Sequence, residues 1–228
     1  MLASYMDSTH LKAEATAEDI RKLCEEAATL HMAAVCVNPY RVPQAGVLLK
    51  GSGVKVCTVI GFPLGALTVA GKRQEACQAL KQGAQELDLV VNIGAVKDGN
   101  YALVEEEIEQ LAGLKGAFSF QLKVIVETAL LKPEELVKLV SIVSGSAAEY
   151  IKTSTGMAAR GASLEDLEVI KQYRRPGLKI KASGGVRELD WALSLIAAGA
   201  DRIGSSHAGA LVKEYLSRRE SLAGYFNL

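Results

Sequence analysis

The chain has no excess charge of either sign: 26 Lys and Arg stand against 26 Asp and Glu in 228 residues. That removes the electrostatic case for nucleic acid or an anionic membrane surface as a partner and leaves small molecules as the default ligands. The four cysteines, Cys24, Cys36, Cys57 and Cys77, form no CxxC pair, and the three histidines, His10, His31 and His207, show no metal-ligand spacing. Reduced thiols, no structural zinc and no resident metal or cofactor are expected. No apolar run reaches the length of a membrane helix, and the opening residues MLASYMDSTH lack the basic and then apolar character of a signal peptide. Both point to the cytoplasm. A Pro/Ser-rich linker is missing too, so one domain spanning residues 1–228 is expected.

What is present is a regular alternation. Strand-like segments fall at 4–8, 34–38, 55–60, 86–92, 120–128, 149–153, 179–183 and 202–205, and helical patterns begin near Ala17, Tyr40, Val69, Tyr101, Lys132, Leu164, Arg187 and His207. Eight strands each followed by a helix argue for parallel strands joined by crossovers, closed into a (β/α)8 barrel. Thr16, with Asp19 three residues on, and Ser163, with Asp166, have the form of helix caps, and Pro133 sits where a first helical turn tolerates it.

Period-two alternation divides each strand into a face for the helices and a face for the barrel interior. Leu87, Leu89 and Val91 oppose Glu86, Asp88 and Asn92; Leu122, Val124 and Val126 oppose Gln121, Lys123, Ile125 and Glu127; Ile180 and Ala182 oppose Lys179, Lys181 and Ser183. Val35 and Val37 oppose Cys36 and Asn38, and Ile151 opposes Lys152. A barrel interior filled for packing alone would carry Val, Ile and Leu, so Asp88, Lys123, Lys152 and Lys181 there are either a structural ion-pair network or a reaction centre.

Lys152 and Lys181 fall near the carboxyl ends of the sixth and seventh strands, the end at which barrel enzymes hold their chemistry. A free lysine has a pKa of ~10.4, whereas burial beside a second ammonium can bring it to about 7–8, where the neutral amine attacks carbonyls. The imine that results draws electrons from the adjacent carbon, which is the means of metal-free aldol chemistry. Asp88 is placed to shuttle protons or to act as counter-ion. After the seventh strand comes ASGGVR and after the eighth IGSSHAG, both leading into helices. Gly184, Gly185, Ser205 and Ser206 there are candidates to hold a phosphate, although glycine pairs also serve turns.

At this point the residues resemble one family, deoxyribose-phosphate aldolase. The likeness runs through DSTHL (7–11), VCVNP (35–39), VIGFPLGA (59–66), LDLVVNIGA (87–95), LKVIVET (122–128), IKTSTG (151–156) and IKASGGVR (180–187). The resemblance implies a (β/α)8 barrel that reversibly cleaves 2-deoxy-D-ribose 5-phosphate to D-glyceraldehyde 3-phosphate and acetaldehyde, in deoxyribose phosphate catabolism. It implies Lys152 as the Schiff-base lysine, Lys181 as its perturbing neighbour and Asp88 as acid/base partner. Asp7 and Lys123 match residues lining the family's site, as do Thr155, Gly156 and Gly204. Cys36 matches a cysteine near the substrate, although a small buried hydrophobe is the plainer reading. The family reading leaves a homodimer or higher homo-oligomer open. Two positions depart from the pattern: Met157 and Arg160 in the loop after the sixth strand, Arg160 being expected in solvent. A terminal tyrosine assists proton transfer in some members. Tyr225 is not terminal here, so that role is not transferred. A phosphate-binding barrel without chemistry, and an aldolase of other donor or acceptor, are the competing readings.

Overall fold

A computed structural model describes residues 2–226, with side chains through residue 219. Eight parallel strands close into a barrel in chain order: β1 (Met6–His10), β2 (Ala34–Val37), β3 (Lys55–Ile60), β4 (Glu86–Val90), β5 (Gln121–Ile125), β6 (Tyr150–Lys152), β7 (Lys179–Ser183) and β8 (Arg202–Ser205). The helices are α1 (Ala17–Thr29), α2 (Val42–Leu48), α3 (Val69–Lys81), α4 (Ile93–Lys97), α5 (Tyr101–Ala112), α6 (Pro133–Gly145), α7 (Leu164–Tyr173), α8 (Leu189–Ala197) and α9 (Ala208–Phe226). The closed barrel agrees with the sequence expectation.

The alternating apolar faces explain the layering. Val35, Val37, Leu87, Leu89, Leu122, Val124, Ile151, Ile180 and Ile203 point outward and are buried under the helices. Helix α1 answers with Ile20, Cys24 and Ala27, at a spacing of four and then three that lies on one helical face. Its start is set by Thr16, whose side chain accepts from the Asp19 amide while Asp19 reaches back to the Thr16 amide. Ser163 caps α7 on the Asp166 amide, and Pro133 opens α6.

Three strands differ from their expected bounds by two residues or more. Residues Leu2–Tyr5 form a 3-10 turn, not the start of β1; Leu2 and Ala3 are buried, and the Ala33 amide donates to the Ala3 and Met6 carbonyls. Strand β4 stops at Val90, because the Asn92 side chain turns to cap α4 on the Ala95 amide. Strand β5 stops at Ile125, because Glu127 adopts a left-handed conformation at φ 52° and leads into a 3-10 turn over Thr128–Leu130.

Candidate active site

Strand pairing brings the charged residues into direct register. Asp88 is level with Lys123 across β4 and β5, Lys152 with Lys181 across β6 and β7, and Lys181 with Arg202 across β7 and β8. All point into the barrel, where Asp88 stands at the centre. Its Oδ1 accepts from Lys123 Nζ at 2.8 Å, and its Oδ2 accepts from both Lys152 Nζ and Lys181 Nζ at 2.7 Å. Lys181 also donates to Asp7 Oδ2 at 2.5 Å. On its other side Asp7 accepts from Arg202 at 2.7 Å. Lys123 lies 2.6 Å from Glu86 Oε2, and Arg202 lies 3.6 Å from the same atom.

Low dielectric makes each of these interactions strong and each unpaired charge costly. Burial alone would push Lys181 toward neutrality, but the Asp7 and Asp88 carboxylates outweigh it and hold the lysine above its ordinary range. Lys123 is raised in the same way by Asp88, Cys57 and Glu86 against its burial. The cations act in return on Asp7 and Asp88: burial opposes ionisation, yet the surrounding ammonium and guanidinium groups keep both carboxyls below the usual carboxylate range. The lysine pair therefore does not work by mutual repulsion alone. Lys181 is clamped as an ammonium between two carboxylates, whereas Lys152 meets only Asp88.

Cys36 and Cys57 are level across β2 and β3, and the Cys57 thiol lies 3.1 Å from Asp88 Oδ1. These two sulfurs and Asp88 lie close enough to share an ion. Both Asp88 oxygens are already committed to ammonium groups, so the donor set is one organised around lysines. Cys36 is fully buried beside Ala34 and Val59, in keeping with its plainer reading as a small hydrophobe.

The loops above the barrel meet through glycine. Gly184 and Gly185 have φ of 85° and 73°, and Gly156 has φ of 85°, conformations that side chains resist. A Cβ on Gly161 would stand 2.0 Å from the Gly184 carbonyl oxygen, so the loops after β6 and β7 touch backbone to backbone. Ser183 ties them further, its hydroxyl donating to the Ser154 carbonyl at 2.6 Å while its carbonyl accepts from the Ala162 amide. Gly204 lets β8 pass close to Ser183, where a Cβ would meet the Ser183 Cβ at 3.0 Å and Lys181 Cε at 3.3 Å. Ser205 is buried, and its hydroxyl donates to the Val186 carbonyl and accepts from the His207 amide, which fixes the loop. Ser206 is exposed.

Two residues of this constellation, Glu127 and Arg202, are not singled out as site residues by the sequence, and two that are, Arg160 and Met157, can now be placed. Glu127, carried to the loop by its left-handed backbone, accepts from both the amide and the hydroxyl of Thr155. Arg160 is half exposed, not free in solvent: it pairs with Asp166 and donates to the Thr128 and Gly161 carbonyls at 3.1 Å each, stapling the loop after β6 to the turn after β5. Met157 is exposed. Arg202, the first residue of β8, is the counter-ion of Asp7 and lies over the Tyr150 ring at 5.6 Å. The side chain of Tyr225 lies outside the described residues.

A closed parallel barrel with acid–lysine chemistry at its centre and glycine-lined loops at its carboxyl end is the architecture of an α/β-barrel enzyme. The DeoC/LacD family aldolase model matches residues 1–212. The chain is 48% identical over 211 residues to a deoxyribose-phosphate aldolase of Lysinibacillus sphaericus (92% of this chain, 94% of the relative) and 43% over 212 residues to one of Aciduliprofundum boonei (93% and 96%). A solved deoxyribose phosphate aldolase of Aeropyrum pernix, described as a unique tetramer, superposes with a TM-score of 0.88 at 34% identity, over 95% of this chain and 91% of that one. The chain belongs to the DeoC/LacD family of aldolases, and it is a lyase. Among the described residues no helix is long and apolar enough to cross a membrane.

Proposed function

We propose that this aldolase cleaves 2-deoxy-D-ribose 5-phosphate reversibly to acetaldehyde and D-glyceraldehyde 3-phosphate, through an imine on Lys152. The observation that carries the reading is the difference between the three lumen lysines. The side chain of Lys152 is 4% exposed, while those of Lys123 and Lys181 are at 0%. A substrate entering at the carboxyl ends of the strands therefore meets Lys152 alone. Lys152 is also the one of the three with a single carboxylate partner.

The sequence of events is as follows. The Lys152 amine adds to the aldehyde carbon of the open-chain sugar, and loss of water gives a protonated imine. The bond between the second and third carbons breaks as the third-carbon hydroxyl loses its proton, and its electrons are taken up by the imine as an enamine. Protonation of the enamine carbon and hydrolysis release acetaldehyde and restore the amine. Asp88 Oδ2, shared by Lys152 and Lys181, bridges the nucleophile to a fixed ammonium and passes protons between adduct and surroundings. The Gly184–Gly185 turn, with Gly156, Gly204 and the exposed Ser206, receives the phosphate. Asp7 and Lys123 hold the charge balance.

Reduction with borohydride in the presence of acetaldehyde or the sugar phosphate, followed by peptide mapping, is the test. An adduct at Lys152 is the expected result; a folded protein that binds the sugar phosphate without any adduct would mean a binding protein. The assembly proposed is a homo-oligomer, as the Aeropyrum pernix relative is described, with deoxyribose phosphate breakdown in the cytoplasm as its setting.

A further inference from the structure

Among the described residues that are not glycine, His31 and Glu127 have positive φ, both at 52°. His31 lies two residues past α1, where a left-handed residue is a common way to end a helix. Glu127 follows a strand instead, and a glutamate is held in that region only where surrounding bonds fix it. Those bonds lead to the loop after β6. The Thr128 amide donates to the Thr153 carbonyl at 2.9 Å, and Arg160 reaches back from the far end of the loop to the Thr128 carbonyl at 3.1 Å. Between these two ties stands the Glu127 carboxyl group. Its Oε2 accepts from the Thr155 amide at 3.1 Å and from the Thr155 hydroxyl, while Oε1 is buried with no donor. Thr155 Oγ1 in turn accepts from the Met157 amide at 3.0 Å. One side chain therefore fixes both flanks of Gly156, the glycine with φ 85° that meets the turn after β7: a Cβ on Gly184 would stand 3.4 Å from the Gly156 Cα.

We infer that Glu127 is a positioning residue that sets the Thr155–Gly156 turn against the Gly184–Gly185 turn, and so decides how strongly the site prefers a phosphorylated sugar over the same sugar without phosphate. This rests on the proposed role of those glycine turns in receiving the phosphate. Glu127 acts through Thr155. Without the carboxyl group, the amide and hydroxyl of Thr155, a residue only 9% exposed, lose their acceptor in a buried place, a state the loop escapes by shifting toward water. That shift carries Gly156 away from Gly184 and opens the seat of the phosphate. Lys152 stays where it is, held in register with Lys181 by the pairing of β6 and β7 and bonded to Asp88. A glutamine at 127 keeps a carbonyl oxygen for both Thr155 donors, and its amide nitrogen falls on the side where Oε1 meets no donor. The role is therefore one of reach and hydrogen-bond geometry, and a conservative change preserves it.

The test is the ratio of kcat/KM for 2-deoxyribose 5-phosphate to that for unphosphorylated 2-deoxyribose, with borohydride trapping of acetaldehyde alongside. In Glu127→Ala the ratio falls about tenfold or more, through a higher KM for the phosphorylated sugar, and acetaldehyde still forms its adduct at Lys152. Glu127→Gln brings the ratio back to within about threefold of wild type. Equal losses on both sugars would make Glu127 a general prop of the fold and overturn the inference, as would a glutamine variant as impaired as the alanine one. If Glu127→Ala does not fold, Glu127→Asp, one methylene short of Thr155, is read in its place: a lowered ratio supports the inference, and an unmoved one overturns it. The wild-type enzyme separates the two levels. No preference for the phosphorylated sugar there refutes the phosphate reading of the glycine turns, whereas a clear preference that Glu127→Ala leaves unmoved refutes only the part given to Glu127.

Discussion

Two fully buried ion-pair systems among the described residues invite comparison, one inside the barrel and one behind it. Behind the sheet, Lys72 on α3 donates to Glu107 on α5 at 2.6 Å and to the Val90 carbonyl at 2.9 Å, and the second Glu107 oxygen accepts from the Asn92 amide at 3.0 Å. That pair is one to one and sealed, with both side chains at 0% exposure. Burial dominates there, lowering Lys72 and raising Glu107 toward their neutral forms against the pull of the partner. In the lumen the network wins instead: Lys181 and Lys123 are held charged in spite of burial. A buried ion pair is thus no sign of chemistry.

The sharpest way to break this comparison is to remove one lysine from each set. Lys152→Ala should lower cleavage by at least about a thousandfold, since the covalent route is lost, while the unfolding midpoint stays near wild type. Steady-state rates together with borohydride trapping check it; an active variant removes Lys152 from the mechanism. Asp88→Asn should lower kcat by about 10²- to 10⁴-fold yet still allow some trapped adduct, because proton transfer is slowed while the amine remains. Single-turnover experiments distinguish the two. Lys72→Met should do the reverse, costing about 3–5 kcal/mol of stability by leaving Glu107 buried and unpaired, with trapping per folded molecule unchanged. Adding Glu107→Leu should recover most of that loss in urea unfolding.

Acid also separates the sets. Asp7 and Asp88 have depressed native values, so the stability they contribute is present above the unfolded carboxyl pKa of ~3.9 and is lost as pH falls below it. Denaturant midpoints should hold from pH 7 to about 5 and drop below about 4; a midpoint unchanged at pH 3 would mean that the lumen charges are not coupled to folding. The smallest expected effect is that of Ser206→Ala, a rise in KM of up to about tenfold for the phosphorylated substrate with kcat for unphosphorylated aldehydes unchanged. A matching drop in both would place Ser206 outside the phosphate site.

The barrel and its polar lumen were legible because period two is strict in strands: Asp88, Lys123 and Lys181 each interrupt an apolar run on one face only. Positions where the backbone leaves that period were not. Glu127 sits at a left-handed turn that no local residue signals, since glycine is the usual occupant and a glutamate stands there. Arg202 follows from the same alternation that puts Gly204 inward, but as the first residue of β8 it reads as a solvent-facing strand end. Lys72 lies in the polar stretch Lys-Arg-Gln-Glu, which looks like an exposed helical face; its partner stands 35 residues away, beyond the reach of any local pattern. Arg160 reads as a surface charge because its link to the Thr128 carbonyl, 32 residues away, comes from the fold and not from its own segment.

The glycine contact between the loops after β6 and β7 has a consequence for anyone redesigning this enzyme. With the Gly184 carbonyl where a side chain at Gly161 would begin, the seam has no room to trade. Side chains introduced at residue 161 should misassemble the two loops, whereas the exposed Met157 can be varied without touching the seam. The room for change in this loop therefore lies before the seam, at positions such as the exposed Met157, and not within it.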